Sequence, residues 1–318
     1  MKSKGCILDS SPLLIAEASK YFNPTPMTAM AAIKNVAIFG AIGALGEGAV
    51  PALLQANFEV ACITRPDNFE TLTTVLKGQN AIVKAFNSVA ASYQTSILQA
   101  ALATGVRHII TPDFSGNTFH PSAEEALILN PKLQAQRELE RIVDESNGSL
   151  SWTAIISGPW YDWTLERGIF WINKEDRTIT RYGSGDQRYS ISRRALNGEA
   201  LVAVLINPEK YRNRAAYFAS HTVSTNQLIT VIEDIVLKDW NIFDVPLDGF
   251  AGKARTLWRG DTEEGVDDRL NSRAYAALST VALLDEEDRY GSSFENKVES
   301  VWVEGENALK KNLGRLLE

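Results

Sequence analysis

One stretch constrains this chain more than any other: Gly40-Ala41-Ile42-Gly43-Ala44-Leu45-Gly46, three glycines at regular spacing. It follows a short apolar run, Asn35-Val36-Ala37-Ile38-Phe39, that reads as a buried strand, and it leads into Leu45–Asn57, which reads as a helix. Glycine permits positive φ in a tight turn, and its missing side chain lets an anionic diphosphate approach the backbone. The helix behind such a turn points free N–H groups and its positive dipole end at the phosphates. A glycine triplet alone is weak evidence. Between a strand and a helix it predicts a dinucleotide site built from Gly40, Ala41, Ile42, Gly43, Ala44, Leu45 and Gly46. The alternative is a tight turn that holds no ligand.

The rest of the first half repeats the alternation. Strands are predicted at 58–63, 80–86, 106–111 and 151–157, and helices at 69–77 and 92–104. A helical stretch at 124–147 is expected to be interrupted by Pro131. Alternating strands and helices imply a parallel sheet covered on both faces, with right-handed crossovers. The fold class expected is therefore α/β, a Rossmann-type doubly wound parallel sheet with a smaller C-terminal α+β substrate lobe. The second half is less regular, with a turn cluster at Gly183–Asp186, helices at 194–207 and 226–237, a strand at 215–219 and an amphipathic tail from Asn296. The expected organisation is an extension without regular structure over residues 1–32, a dinucleotide-binding domain over 33–160, and a substrate lobe over 161–318 that is interleaved with the sheet.

Several function classes are disfavoured. A net charge of −7 supplies no basic face for a nucleic acid. His108, His120 and His221 have no ligand spacing, so no metal site is expected. No apolar run approaches the ~20 residues that span a bilayer. The 2 cysteines, Cys6 and Cys62, fit a reducing compartment, and a cytoplasmic location is expected; Cys62, inside an apolar run, is expected to be buried. The second strand ends Ile63-Thr64-Arg65-Pro66, with no carboxylate before Asp67. An acidic residue there favours NAD, whereas an arginine accommodates the 2′-phosphate of NADP, so Arg65 favours NADPH over NAD.

Four segments together resemble the NmrA-like and isoflavone-reductase-like branch of the atypical short-chain dehydrogenases. The Gly40–Gly46 turn resembles that family's GATGxLG. Ile63-Thr64-Arg65 resembles its basic strand end, and Ala100–His108 resembles its AAxxAGVKRF segment. Thr153-Ala154-Ile155-Ile156-Ser157-Gly158-Pro159-Trp160-Tyr161-Asp162-Trp163 resembles the fungal TAIVTGPFFDW run. The likeness extends from about Asn35 to Leu237 and fades beyond.

This resemblance implies an NADPH-dependent reductase acting on a small aromatic or conjugated molecule. It places Lys132 at the start of a helix whose Lys132, Gln136, Arg137 and Glu140 are similar to the family's K-x-x-x-R-x-x-x-E. Lys132 would then bind the nicotinamide ribose or donate a proton to the substrate; the other reading is a solvated lysine. Phe86, Pro112, Asp113, Gly158 and Pro159 would border the cofactor, and Phe114, Trp160, Tyr161 and Trp163 the substrate, although such tryptophans often serve simply as core.

There are also departures from the family. No Tyr-x-x-x-Lys pair occurs, and the family's PSEFG stands here as Pro112-Asp113-Phe114-Ser115-Gly116. Only Pro66-Asp67-Asn68 separates Arg65 from the next helix, so the usual third strand is apparently missing and strand two should become a sheet edge. These departures keep a second reading open, a non-catalytic NAD(P)-binding sensor of the NmrA type with a protein partner.

Overall fold

Val36 to Phe39 are buried throughout, as a strand with neighbours on both sides and helices on both faces must be. The computed structural model describes residues 32–64, 68–87, 90, 94–168, 171–236 and 240–318. In chain order its first half runs β1 (Asn35–Phe39), α1 (Gly46–Gln55), β2 (Glu59–Ile63), α2 (Phe69–Leu76), β3 (Ala81–Lys84), α3 (Gln94–Thr104), β4 (His108–Ile110), α4 (Asn130–Glu145) and β5 (Ser151–Ile156). The second half runs α5 (Tyr161–Glu166), β6 (Ile172–Asn173), β7 (Thr178–Tyr182), β8 (Arg188–Ile191), α6 (Arg194–Ile206), β9 (Arg214–Tyr217) and β10 (His221–Ser224). It ends with α7 (Thr225–Ile235), β11 (Asn241–Val245), α8 (Phe250–Glu263), α9 (Arg273–Leu284) and α10 (Glu306–Leu317).

Six strands form one sheet in the order β2-β1-β3-β4-β5-β9, every pair parallel. This is the doubly wound arrangement, with no strand beyond β2 among the described residues. The chain leaves β1 to one side to form β2, then crosses to the other side to form β3. Ligands of open α/β sheets bind at such a switch point, outside the carboxyl ends of the strands.

Among the described residues β2 is therefore the sheet edge. Glu59 and Cys62 are exposed there, which corrects the expectation of a buried Cys62: its strand is apolar in sequence but has a neighbour on one side only. The N-terminal residues 1–31, Cys6 among them, lie outside the described residues.

One face of the sheet is covered by α2, α3 and α4, with Phe39, Leu76, Ile82, Leu98, Ile109 and Leu139 in one core cluster. On the other face α1 packs against α6, so the second half of the chain returns to complete the first layer. The approach is close: a Cβ on Gly198 would stand 2.9 Å from Ala52 Cβ and 3.0 Å from the Gly48 carbonyl.

Pro131 does not interrupt a long helix, as the sequence pattern suggested. Two 3-10 turns, Ala123–Glu125 and Leu127–Leu129, precede α4, and Pro131 stands in its first turn. A proline fits there because the first N–H groups of a helix have no intrahelical partner.

The remaining elements form the C-terminal lobe. β8 pairs antiparallel with β10, β6 pairs antiparallel with β7, and β7 pairs parallel with β11. Their core holds Trp171, Ile179, Tyr189, Leu228, Ile232 and Leu313. A separate cluster joins Ala126 and Ile128 to Ala254, Leu278, Val281 and Tyr290. Side chains start the helices: Asn68 accepts from the Thr71 amide at α2, Ser272 from the Tyr275 amide at α9, and Ser224 and Gln227 form a reciprocal capping box at α7. Among the described residues no helix is long and apolar enough to cross a membrane.

Candidate functional site

The carboxyl ends of four neighbouring strands bring together Gly40 after β1, Ala85 and Phe86 after β3, Thr111–Gly116 after β4, and Ser157–Trp160 after β5. The three glycines of the first turn have different physical roles. Gly40 has φ +85°, and a Cβ there would run into the Ala85 carbonyl. A Cβ on Gly46 would collide with the carbonyls of Gly40 and Ala41. Both are therefore demanded by the turn itself.

Gly43 is not. Its φ lies outside the left-handed region, and an added Cβ would meet nothing nearer than the Gly40 carbonyl at 3.4 Å, an ordinary contact. A glycine at this place in a strand–turn–helix leaves room for a diphosphate to reach the backbone.

The amides agree. Gly43 N donates to Gly40 O at 3.1 Å and closes the turn. The N–H groups of Ala41, Ile42, Ala44, Leu45 and Gly46 donate to no described group. They stand at the N-terminus of α1, where such groups and the helix dipole together attract anions. Ile42 is 84% exposed at the tip. The residues present thus fit a dinucleotide diphosphate. Phe86, expected at the cofactor, follows β3 beside Gly40 and is half-buried against the core. Arg65, the expected 2′-phosphate partner, lies outside the described residues.

The turn after β4 is the most constrained part of the site. Pro112, Asp113 and Phe114 are buried. The Asp113 carboxylate accepts from the hydroxyls of Thr111 and Thr118, the latter at 2.6 Å. Phe114 has φ +43°, a conformation that costs a non-glycine residue about 1–3 kcal/mol and tends to occur at functional sites. It is held by Phe114 N donating to Ile155 O at 2.7 Å and by Trp160 Nε1 donating to Phe114 O at 2.9 Å. The amides of Ser157 and Gly158 both donate to Ser115 O, which ties the end of β5 to the same turn.

Lys132 reaches this turn from the start of α4. Its amine donates to Asp113 O at 2.7 Å and to Ser115 Oγ at 3.1 Å, so it is not the freely solvated lysine of the other reading. Burial pushes its pKa below the ordinary lysine value, and the nearby Asp113 charge opposes that shift. An ammonium has three donors, and two are accounted for.

The expected substrate residues divide. Trp160 and Trp163 are half-buried and meet edge to face, with ring centroids 6.1 Å apart. Phe114 and Tyr161 are buried, at 2% and 4% exposure. Tyr161 packs in the C-terminal core, its hydroxyl accepts from Asn312 Nδ2 at 3.1 Å, and burial pushes its pKa up to about 12. Gly158 is buried and Pro159 half-buried, where the Pro159 carbonyl accepts from the Ser192 amide at 3.0 Å.

Sequence reasoning missed Lys84. It ends β3, is 1% exposed, and burial lowers its pKa to about 8, with Asp113 and Glu138 opposing. The available signal was a lysine inside the apolar strand expected at 80–86, directly after Ala81-Ile82-Val83.

With this geometry described, known structures can be set beside it. Leucoanthocyanidin reductase from Vitis vinifera, in complex with NADPH, superposes with a TM-score of 0.67 over 89% of this chain and 99% of that one, at 15% identity. Isoflavone reductase superposes at 0.62 over 90% and 99%, at 13% identity. This chain has the isoflavone-reductase fold. Triphenylmethane reductase from Citrobacter, complexed with NADP(H), shares it at a TM-score of 0.60 over 89% and 99%, with 17% identity.

In sequence, the chain is 28% identical to oxidoreductase aprR of Aspergillus flavus over 169 residues, 52% of this chain and 55% of that protein. It is 25% identical to oxidoreductase poxI of Penicillium oxalicum over 219 residues, 64% of this chain and 70% of that protein. The chain thus spans about half the length of the Aspergillus relative. No protein-family profile matches it.

Proposed function

We propose that this chain is an NADPH-dependent reductase of a small aromatic or conjugated organic molecule. The observation that carries this reading is the glycine turn. Five amides that donate to no described group open the first helix at the switch point, beside a middle glycine that the fold does not require. Similarity to fungal oxidoreductases and to NADPH-bound reductases supports the choice of cofactor.

The amides of Ala41, Ile42, Ala44, Leu45 and Gly46 would hold the diphosphate, and Arg65 the 2′-phosphate. When bound, NADPH supplies a hydride. The Lys132 amine, fixed on Asp113 O and Ser115 Oγ, keeps one N–H to donate toward a substrate oxygen, and its lowered pKa makes it a better acid than a solvated lysine. Trp160 and Trp163 offer a wall of rings, and the Trp160 indole is locked in place by Phe114 O.

The test is to titrate the purified chain with NADPH and NADH while following tryptophan emission, then to assay aromatic aldehydes, ketones and enones for loss of NADPH absorbance. Saturable quenching by NADPH, weaker with NADH, and turnover of at least one compound are expected. No saturation at about millimolar NADPH, an affinity floor near −4 kcal/mol, refutes the reading. The commitment of two Lys132 donors to internal acceptors favours the sensor as the second reading. Equal affinity for NADP+ and NADPH without turnover would select it.

A further inference from the structure

Two arginines stand side by side at the start of α6, and only one of them is spent within the protein. Arg193 donates through Nε to the Glu304 carboxylate and through its other nitrogens to both oxygens of Glu199, at 2.9 and 3.0 Å. The Arg194 guanidinium makes one contact among the described residues: Nη1 donates to Glu47 Oε2 at 3.3 Å. That is longer than the ~2.7–2.9 Å of a good charge-assisted bond, and the remaining donors of the fork meet no described acceptor. The Arg194 side chain is 34% exposed and that of Glu47 60%. Exposed pairs of this kind add little to stability, so the fold alone does not account for the side chain.

Its backbone is nevertheless firmly placed. The Arg194 amide donates to both Asp162 oxygens, at 2.9 and 3.0 Å, and Asp162, on α5, also accepts from the Trp163 amide at 2.8 Å. The first turn of α6 lies beside the first turn of α1, so close that a Cβ on Gly198 would press on the Gly48 carbonyl. Glu47 directly follows Gly46, the last of the five amides that donate to no described group. Through Glu47 the guanidinium thus stands at the same helix end as those amides. A carboxylate in a first turn suits the helix dipole, but it repels an anion arriving at that end. A planar guanidinium there has the opposite effect, and its fork matches phosphate oxygens.

We propose that Arg194 is a cofactor-binding residue: its guanidinium leaves Glu47 for the diphosphate of the bound dinucleotide, adding a charged fork to the five amides of the glycine turn. The inference rests on the dinucleotide reading given above and adds a residue from the second half of the chain to it. Because the diphosphate is common to NADPH and NADH, Arg194 strengthens the binding of both and does not choose between them.

The test is a cycle of Arg194→Gln, Glu47→Gln and the double variant, each full chain titrated with NADPH and with NADH by tryptophan emission and melted without ligand. Arg194→Gln should weaken both dinucleotides by the same factor, about tenfold or more, at an unchanged Tm. Glu47→Gln should bind both as well as the parent or more tightly. The double variant should bind at least about fivefold more weakly than Glu47→Gln. A double variant that binds like Glu47→Gln overturns the proposal, since Arg194 would then only cancel the Glu47 charge. So does a loss as large in Glu47→Gln as in Arg194→Gln, since the pair would then be a structural tie between α1 and α6. A loss for NADPH but not NADH also overturns it, by assigning the guanidinium to the 2′-phosphate. A parent that binds both dinucleotides, with Arg194→Gln unaffected, ends this inference alone; a parent that binds neither ends the dinucleotide reading and this inference with it.

Discussion

Alanine at each of the three turn glycines separates what the fold needs from what a ligand needs. At Gly40, φ +85° imposes a left-handed strain of about 1–2 kcal/mol on alanine, and overlap with the Ala85 carbonyl adds about 1–3 kcal/mol. Gly40→Ala should therefore lose about 2–5 kcal/mol of stability. Gly46→Ala lacks the strain but meets the Gly40 and Ala41 carbonyls, so about 1–3 kcal/mol is expected. At Gly43 the nearest atom to an added Cβ is 3.4 Å away and φ is not left-handed. Stability should stay within about 0.5 kcal/mol or rise slightly, because alanine restricts the unfolded chain. The Gly43 Cβ would, however, stand where a diphosphate must approach, so NADPH affinity should fall at least about tenfold, or 1.4 kcal/mol. Urea unfolding of the three variants, with NADPH titrations of those that fold, supplies both numbers. Gly43→Ala as unstable as Gly40→Ala, or binding NADPH like the parent, would refute the reasoning.

Other consequences are quicker to check. Lys132→Met should cut turnover by about 10²–10⁴-fold with little change in NADPH Kd, and equal losses in both would mean that the amine only binds cofactor. Lys84 lies at about 8 in the folded protein against 10.5 for the free side chain, so between those values the unfolded chain carries a proton that the folded chain has released. Stability should rise with pH across that window by up to about 3 kcal/mol, and Lys84→Met should remove this increment in paired urea melts at its two ends. Arg177 is exposed at φ +52°, so Arg177→Gly should stabilise by about 0.5–1 kcal/mol in the same melts, and a loss would show that its side chain contributes more than the strain costs.

Much of this architecture is legible in the sequence because it depends on local signals. Apolar runs such as Ala81–Val83 and Ser151–Ile156 sit between helices, and that alternation specifies a parallel sheet. The short span between Arg65 and Phe69 leaves no room for a third strand, which predicts the observed edge at β2. Lys132 was singled out by the family resemblance of its helix start and by no local signal, since a lysine in the first turn after Pro131 reads equally as solvated.

What was not legible depends on which neighbours are present. Cys62 looks buried until β2 is known to have one partner. Lys84 lies inside the strand expected at 80–86, and nothing in the sequence shows that Gln94 of α3 is the partner of its amine. The segment that forms β11 and α8 gave no reading because its burial is sparse: Ala254 is the one buried residue of α8, so its apolar stripe is weak. The strain at Phe114 has no sequence signature, since phenylalanine ordinarily avoids positive φ.

The central claim is that the amides opening α1 grip an anionic dinucleotide. Backbone amide resonances of the isotope-labelled chain, followed while NADPH is added, test it most directly. The account predicts saturable shifts at Ala41, Ile42, Ala44, Leu45 and Gly46, with Gly43 moving less because its N–H is already committed to Gly40 O. Saturable binding that leaves those five resonances in place, or no binding at all, would contradict it.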